Sequence, residues 1–326
     1  MNPTLRSKDA LGEKKPVIEI RARLRLSSAM LFERQRLLLT LLDAVGAPVG
    51  HTDFQKLLFL YTQDCEATPS YEFVPYKFGA FSFTSYADKR KLIAEGLLAD
   101  DDQHWTLTGS GQTAARKQPV EPLRVAGFCR RHAKLRGNTL LAEQYRRHPY
   151  YATRSEILDK LRLEPETLAH IAAARPKRKP AGLVTIGYEG RSLEGYLNAL
   201  LRDGVRVLCD VRRNPLSRKY GFSKGTLSKA CEGVGIRYEH LPELGIASEE
   251  RRNLETQADY DALFAHYKRH DLPKQGAALS KIRGWIEQGE RVALTCYEAQ
   301  VCQCHRHCVA EALERMGGAR MRTLHL

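Results

Sequence analysis

The chain has 326 residues, and its 52 Lys and Arg against 38 Asp and Glu give a formal net charge of +14. Hydrophobic residues make up 43%, enough for ordinary globular cores and too many for a disordered chain. So large a positive surplus points to nucleic acid ahead of an anionic membrane surface or a neutral small molecule. No uncharged apolar run is long enough to span a bilayer. The polar, charged N-terminus has no apolar stretch of signal-peptide type, so the expected location is the cytoplasm. In that reducing setting the eight cysteines are expected as thiols rather than as a disulfide framework.

Residues 1–28 are polar and basic without periodicity and read as an arm. From Met30 to Ala44 apolar residues recur at helical spacing (Leu31, Leu38, Leu41, Leu42). Gly46, Pro48 and Gly50 end that helix, and His51-Thr52-Asp53 opens a second, with Thr52 or Asp53 as its cap. Tyr71 to Tyr76 reads as extended. A third helix is expected from Thr84 or Ser85 to Glu95, closed by Gly96. Leu97-Leu98-Ala99 and His104 to Thr108 then form a hairpin around Asp100-Asp101-Asp102. Three helices and a hairpin, over residues 29–115, is the order of a winged helix, whose third helix enters the major groove while the hairpin touches phosphates.

Residues 116–171 read as a basic helical extension, in which Arg124, Arg130, Arg131, Arg146 and Arg147 are interleaved with Phe128, Tyr145, Tyr150 and Tyr151. One reading is phosphate contact with base stacking; the other is a solvated face over core aromatics. Residues 172–181, with Pro176, Pro180 and four cations, read as a linker. Within the N-terminal half, Phe73-Val74-Pro75-Tyr76-Lys77-Phe78-Gly79-Ala80-Phe81-Ser82, following Gln55 to Phe59, resembles the YwgA-type winged-helix domain, and a weaker likeness continues to Tyr145–Tyr151. That resemblance implies a winged helix attached to partner enzymes or defence systems, with no chemistry of its own. Winged helices also mediate protein contacts.

From residue 182 onward short β-rich runs alternate with helices. Leu183–Tyr188, Val205–Asp210, Ile236–Leu241, Arg291–Cys296 and Arg322–Leu326 are separated by helices near Leu193–Asp203, Ser223–Val234, Tyr260–His270, Gly276–Gln288 and Cys304–Met316. The expected fold is α/β with a mostly parallel sheet, and such sheets bind ligands outside the carboxyl ends of their strands. The strands run out into Tyr188-Glu189-Gly190-Arg191, Asp210-Val211-Arg212-Arg213-Asn214-Pro215, Pro242-Glu243-Leu244-Gly245, and Tyr297-Glu298 after Cys296. Acids, arginines, an aromatic and a thiol therefore converge on one edge.

These runs, together with Leu216-Ser217-Arg218, Gly221-Phe222-Ser223-Lys224, His240-Leu241 and Cys304-His305-Arg306, resemble the domain of unknown function 488 family over nearly all of residues 183–326. The resemblance implies a Rossmann-like α/β domain with a polar pocket acting on nucleic acids or nucleotides. The expected reaction is excision of a modified base from DNA by cleavage of an N-glycosidic bond. That chemistry needs a carboxylate to steady the sugar cation or activate water, and donors for the departing base. Asp210 is the candidate carboxylate, with Glu298 or Glu189 as second acid. Tyr188 or Phe222 would stack on an extruded base. Arg191, Arg212, Arg213, Asn214, Ser217, Arg218, Lys224 and Arg306 would hold phosphates. For Asp210 the plainer alternatives are an ion pair with Arg212 or a helix N-cap.

A second class of chemistry places a nucleophilic thiol at Cys296 or Cys304, where a helix start and the cations of His305 and Arg306 lower a thiol pKa. The soft residues between Cys296 and Cys308 fit no usual zinc spacing, so no metal and no cofactor are expected. A non-catalytic reader of modified DNA or nucleotide shares every feature except turnover. With no Walker motif and no intact Gly-x-Gly-x-x-Gly, NTP hydrolysis and dinucleotide redox chemistry are not expected. By analogy, the combination suggests antiviral genome defence.

Overall fold

The computed structural model describes residues 30–46, 48–251, 254–317 and 321–326, so the basic arm expected at 1–28 lies outside the described residues. Helix α1 (Glu33–Val45) is followed by strand β1 (Val49–Gly50) and helix α2 (His51–Cys65). Neither Thr52 nor Asp53 caps α2, which starts after Gly50 without a side-chain cap. Asp53 accepts the Gly137 N–H at 2.9 Å instead. The extended stretch at Tyr71–Tyr76 is one arm of a hairpin, β2 (Val74–Tyr76) with β3 (Gly79–Phe81). Helix α3 (Phe83–Ala94) is capped by Ser82, and β4 (His104–Trp105) pairs antiparallel with β1, while Leu98 bridges Leu107.

Helices α4 (Gly109–Lys117), α5 (Pro122–Arg131), α6 (Gly137–Arg147) and α7 (Pro165–Ala174) complete this half. Phe128 and Tyr145 are fully buried, so the basic extension carries core aromatics rather than a row of stacking platforms. Helix α7 runs through Ala172–Ala174, taking the first three residues of the expected linker, since alanine is the best helix former.

The second half runs β5 (Gly182–Gly187), α8 (Leu193–Arg202), β6 (Val207–Asp210), α9 (Lys224–Gly233), β7 (Arg237–His240), α10 (Gln257–His266), α11 (Gly276–Glu287), β8 (Arg291–Cys296), α12 (Arg306–Gly317) and β9 (Leu324–His325). Its strands form one parallel sheet in the order β7-β6-β8-β5-β9. The central strands β5, β6 and β8 bury both faces, as in other parallel sheets. Val184, Ile186, Leu208 and Ala293 pack with Leu193, Leu197 and Leu227 of α8 and α9. Leu183, Val207, Cys209, Val292 and Leu294 pack with Ile282, Val309 and Leu313 of α11 and α12. Strand β8 thus sits between β5 and β6, yet its following helix covers the opposite face from theirs. The loops after β6, β8 and β5 diverge at that point and open a crevice at the carboxyl edge.

Residues 33–326 form one compact unit. The buried carboxylate of Glu194, in the first turn of α8, accepts from Ser82 Oγ (3.0 Å), Thr84 N–H (2.8 Å) and Thr84 Oγ (3.0 Å). Asn198 donates to the Phe73 carbonyl at 2.7 Å and accepts from Tyr150 OH at 2.9 Å. The opening turn of α3 is therefore held against α8. This is the end through which a groove-reading helix contacts bases.

Candidate functional site

A cleft of about 400 Å³ opens at the diverging loops, lined by Arg212–Asn214, Leu216–Lys219, Arg251, Tyr297, Glu298 and, at its inner end, Cys296 and His305. Its floor is a buried polar frame. Asp210, at the end of β6, is fully buried. It accepts from Arg212 N–H (3.1 Å), Nε (2.8 Å) and Nη2 (2.5 Å) and from Tyr238 OH (2.6 Å). The remaining guanidinium nitrogen of Arg212 donates to Tyr188 OH at 2.8 Å and to the Phe222 carbonyl at 2.9 Å. Burial pulls the Arg212 pKa down, but the hydrogen bond and charge of Asp210 leave it above its ordinary value. Burial, then Asp210, push the Tyr238 phenol up.

This frame revises the roles of several expected site residues. Asp210 has no face toward the cleft and its acceptor positions are filled, so it positions Arg212 rather than touching a substrate. Tyr188 and Phe222 are stacked on each other, centroids 4.3 Å apart and planes 7° apart, and both are buried; Tyr188 lines the cleft and Phe222 does not. Tyr297, edge-on to Tyr188 at 5.3 Å and exposed at the mouth, is the aromatic that is free. Arg306 is buried and donates to the carbonyls of Glu298 and, at 3.0 Å, Ala299. It holds the loop after β8 and no phosphate.

The other expected residues divide between scaffold and rim. Glu189 accepts the Ala299 N–H at 2.9 Å and pins the same loop. Arg191 closes the turn after β5 through its N–H to the Tyr188 carbonyl at 3.2 Å. Ser217 ties its loop together, its carbonyl accepting from Ser223 Oγ and its hydroxyl from the Lys219 N–H. Lys224 lies at 3.2 Å from His240 Nδ1, and His240 Nε2 donates to the Arg212 carbonyl at 2.9 Å. Arg213, Asn214 and Arg218 remain exposed on the cleft wall.

At the inner end Glu298 is the carboxylate that faces the cleft. Arg251 holds one oxygen, and the other lies 3.3 Å from Cys296 Sγ. His305 Nδ1 is 3.8 Å from the same sulfur, and Nε2 lies 3.0 Å from the Val211 carbonyl. Donation to that carbonyl fixes the proton on Nε2 and leaves Nδ1 as an acceptor toward the thiol. A hydrogen bond from Cys304, opposed by burial and helped by His305, holds Cys296 well below the ordinary thiol value. Burial and donation to Cys296 push Cys304 up. A Cβ on Gly187 would meet the Glu298 carbonyl at 1.9 Å, and one on Gly245 would meet Arg213 N at 2.1 Å. Those two glycines let the loops approach closely enough to build the site.

Sequence reasoning did not single out Lys219, Tyr238 or Arg251. Lys219 donates to the Tyr188 carbonyl at 3.0 Å and sits beside Arg218, in a run whose other members read as phosphate-binding. Tyr238 shares a strand face with His240, which the period of two could have shown. Arg251 arrives from a loop with no local signal.

The fold and cleft define a three-layer α/β protein with a cationic crevice at the carboxyl edge of its sheet. Residues 192–313 match the model of a family described as a domain of unknown function, DUF488. The match covers the Asp210–Lys224, His240–Gly245 and Cys296–Arg306 motifs and supports the resemblance of the C-terminal half. No curated protein and no solved structure matches the chain. Among the described residues no helix is long and apolar enough to cross a membrane.

Proposed function

We propose that the chain is a DNA-binding hydrolase that removes a modified base, with Glu298 rather than Asp210 as the reacting carboxylate. The observation that carries this reading is the arrangement of the cleft: an acid at its inner end, Arg213, Arg218 and Lys219 on its wall, and Tyr297 at its mouth. Cations there suit phosphates, and an exposed ring suits an unstacked base. In the reaction a water oxygen bonds to C1′ of the sugar as the C1′–N bond breaks. Glu298 takes the water proton, and the base leaves with the bonding electrons beside the wall cations. A second depression of about 520 Å³ is lined by Arg154, Arg175, Lys177, Arg178 and Arg206, and none of its lining residues is acidic. It lies at the amino ends of β6 and β7, at the opposite edge of the sheet from the cleft. The N-terminal elements fit a winged helix whose third helix docks the α/β half, a protein-contact use of that fold. Defence against DNA with altered bases is the context this combination suits.

The test incubates the protein and Glu298→Gln with duplexes carrying ordinary or hypermodified pyrimidines, followed by alkali. Strand breaks on modified DNA alone, reduced ~100-fold or more by the variant, are the expected result. Intact DNA throughout, with salt-sensitive binding retained, would instead make the chain a non-catalytic reader.

A further inference from the structure

Three soft donors meet behind the cleft. Cys296 Sγ, Cys304 Sγ and a ring nitrogen of His305 all lie within 4.8 Å of one another, and all three residues are buried. The spacing of these residues in the chain fits no usual zinc pattern; the fold unites them by ending β8 at Cys296 and bringing the start of α12 back against it. We infer that Cys296, Cys304 and His305 bind a zinc ion whose fourth position opens into the cleft.

The geometry suits that ion. Tetrahedral zinc, with bonds of about 2.3 Å to sulfur and 2.0–2.1 Å to nitrogen, holds a sulfur and a nitrogen roughly 3.6 Å apart; Cys296 Sγ and His305 Nδ1 are 3.8 Å apart. The outer nitrogen of His305 is hydrogen-bonded to the Val211 carbonyl, the partner that metal-bound imidazoles commonly keep. Two thiolates, one neutral imidazole and a divalent ion sum to zero charge, which lowers the cost of burying the centre. Thiolate with imidazole also selects zinc over magnesium or calcium.

Binding takes both sulfurs as thiolates and releases to solvent the proton that Cys304 donates to Cys296. Cys296 and His305 line the cleft and Cys304 does not, so the open side of the triad faces substrate. A water there would sit beside Glu298, which deepens the proposed hydrolysis and rests on it; metal binding itself does not.

The test expresses the full chain with added zinc and measures bound metal. It then replaces zinc with cobalt and records the thiolate charge-transfer and tetrahedral ligand-field absorption. A single zinc per chain and a tetrahedral cobalt spectrum with two thiolates are expected. Loss of metal is expected in Cys304→Ser and in His305→Gln, with retention in Cys302→Ser and Glu298→Gln. Should both ligand variants fail to fold, chelator-treated wild-type protein titrated with zinc gives the same answer through its stoichiometry. Substoichiometric metal in zinc-supplied folded protein, or rapid alkylation of Cys296 in that preparation, overturns the assignment and leaves a free thiolate. Metal bound without any base release would refute the hydrolase reading while leaving the zinc site standing.

Discussion

Asp210 and Arg212 stand two residues apart and form a buried ion pair whose second arm reaches Tyr188 and the Phe222 carbonyl. One interaction thereby ties together the loops after β5 and β6 and the stretch before α9, and so fixes the cleft wall. Breaking such a pair by neutralising one partner leaves a buried charge. Asp210→Asn is expected to cost about 3–5 kcal/mol, read by urea unfolding. Asp210→Asn combined with Arg212→Met is expected to cost less than the sum of the single changes. A loss below about 1 kcal/mol for Asp210→Asn, the range of an exposed pair, would show that the pair does not organise the wall.

Glu194 makes the contact between the two halves sensitive to pH. Burial raises its pKa above the ordinary 4.5, against the hydrogen bonds from Thr84 and Ser82. A raised folded-state pKa means that the stabilising contribution of the protonated form is complete below about pH 4.5 and is lost as pH rises through the folded value. In Glu194→Gln the amide keeps an acceptor for Ser82 and the Thr84 N–H and does not ionise. The stability of wild type relative to this variant is therefore expected to fall as pH rises above about 4.5. Thermal unfolding of both proteins from about pH 4 to 8 measures it, and parallel curves would contradict it.

Gly187→Ala is expected to destabilise by about 1–3 kcal/mol as the added methyl displaces the Glu298 carbonyl, and to impair the cleft with it. Gly284→Ala, inside α11 with open space around its Cβ position, is expected to stabilise by about 0.5–1 kcal/mol. Unfolding midpoints of the two variants test the contrast. Equal effects would mean that the loop after β8 does not need the close approach.

The parallel sheet and the edge carrying the chemistry were legible because short apolar β-rich runs and the residues at their carboxyl ends are local signals. Burial was not. Asp210 and Glu298 both come at or just after strand ends, yet Tyr238 and Arg212 close over one while Arg251 turns the other toward the cleft. The same blindness covers Tyr188 and Phe222, which read as free aromatics and are stacked on each other. Cys296, Cys304 and His305 follow no usual zinc spacing because a loop between strand and helix brings them together. The docking of α3 on α8 depends on contacts more than a hundred residues apart, which periodicity does not report.

The cleft wall is expected to carry the salt dependence of nucleic-acid binding. Arg213→Gln and Arg218→Gln should each reduce the slope of log affinity against log salt by about 0.9 on duplex DNA. Titrations between low and moderate salt give the slopes. An unchanged slope in the double variant would place the phosphates elsewhere.

The most direct test of where nucleic acid sits is hydrogen exchange of the protein with and without a duplex carrying a modified base. Protection at residues 212–219 and 297–299, with α3 unchanged, is the predicted result. Protection confined to α3 and the β4 region, with the cleft loops unaffected, would contradict the account and return DNA to the N-terminal half.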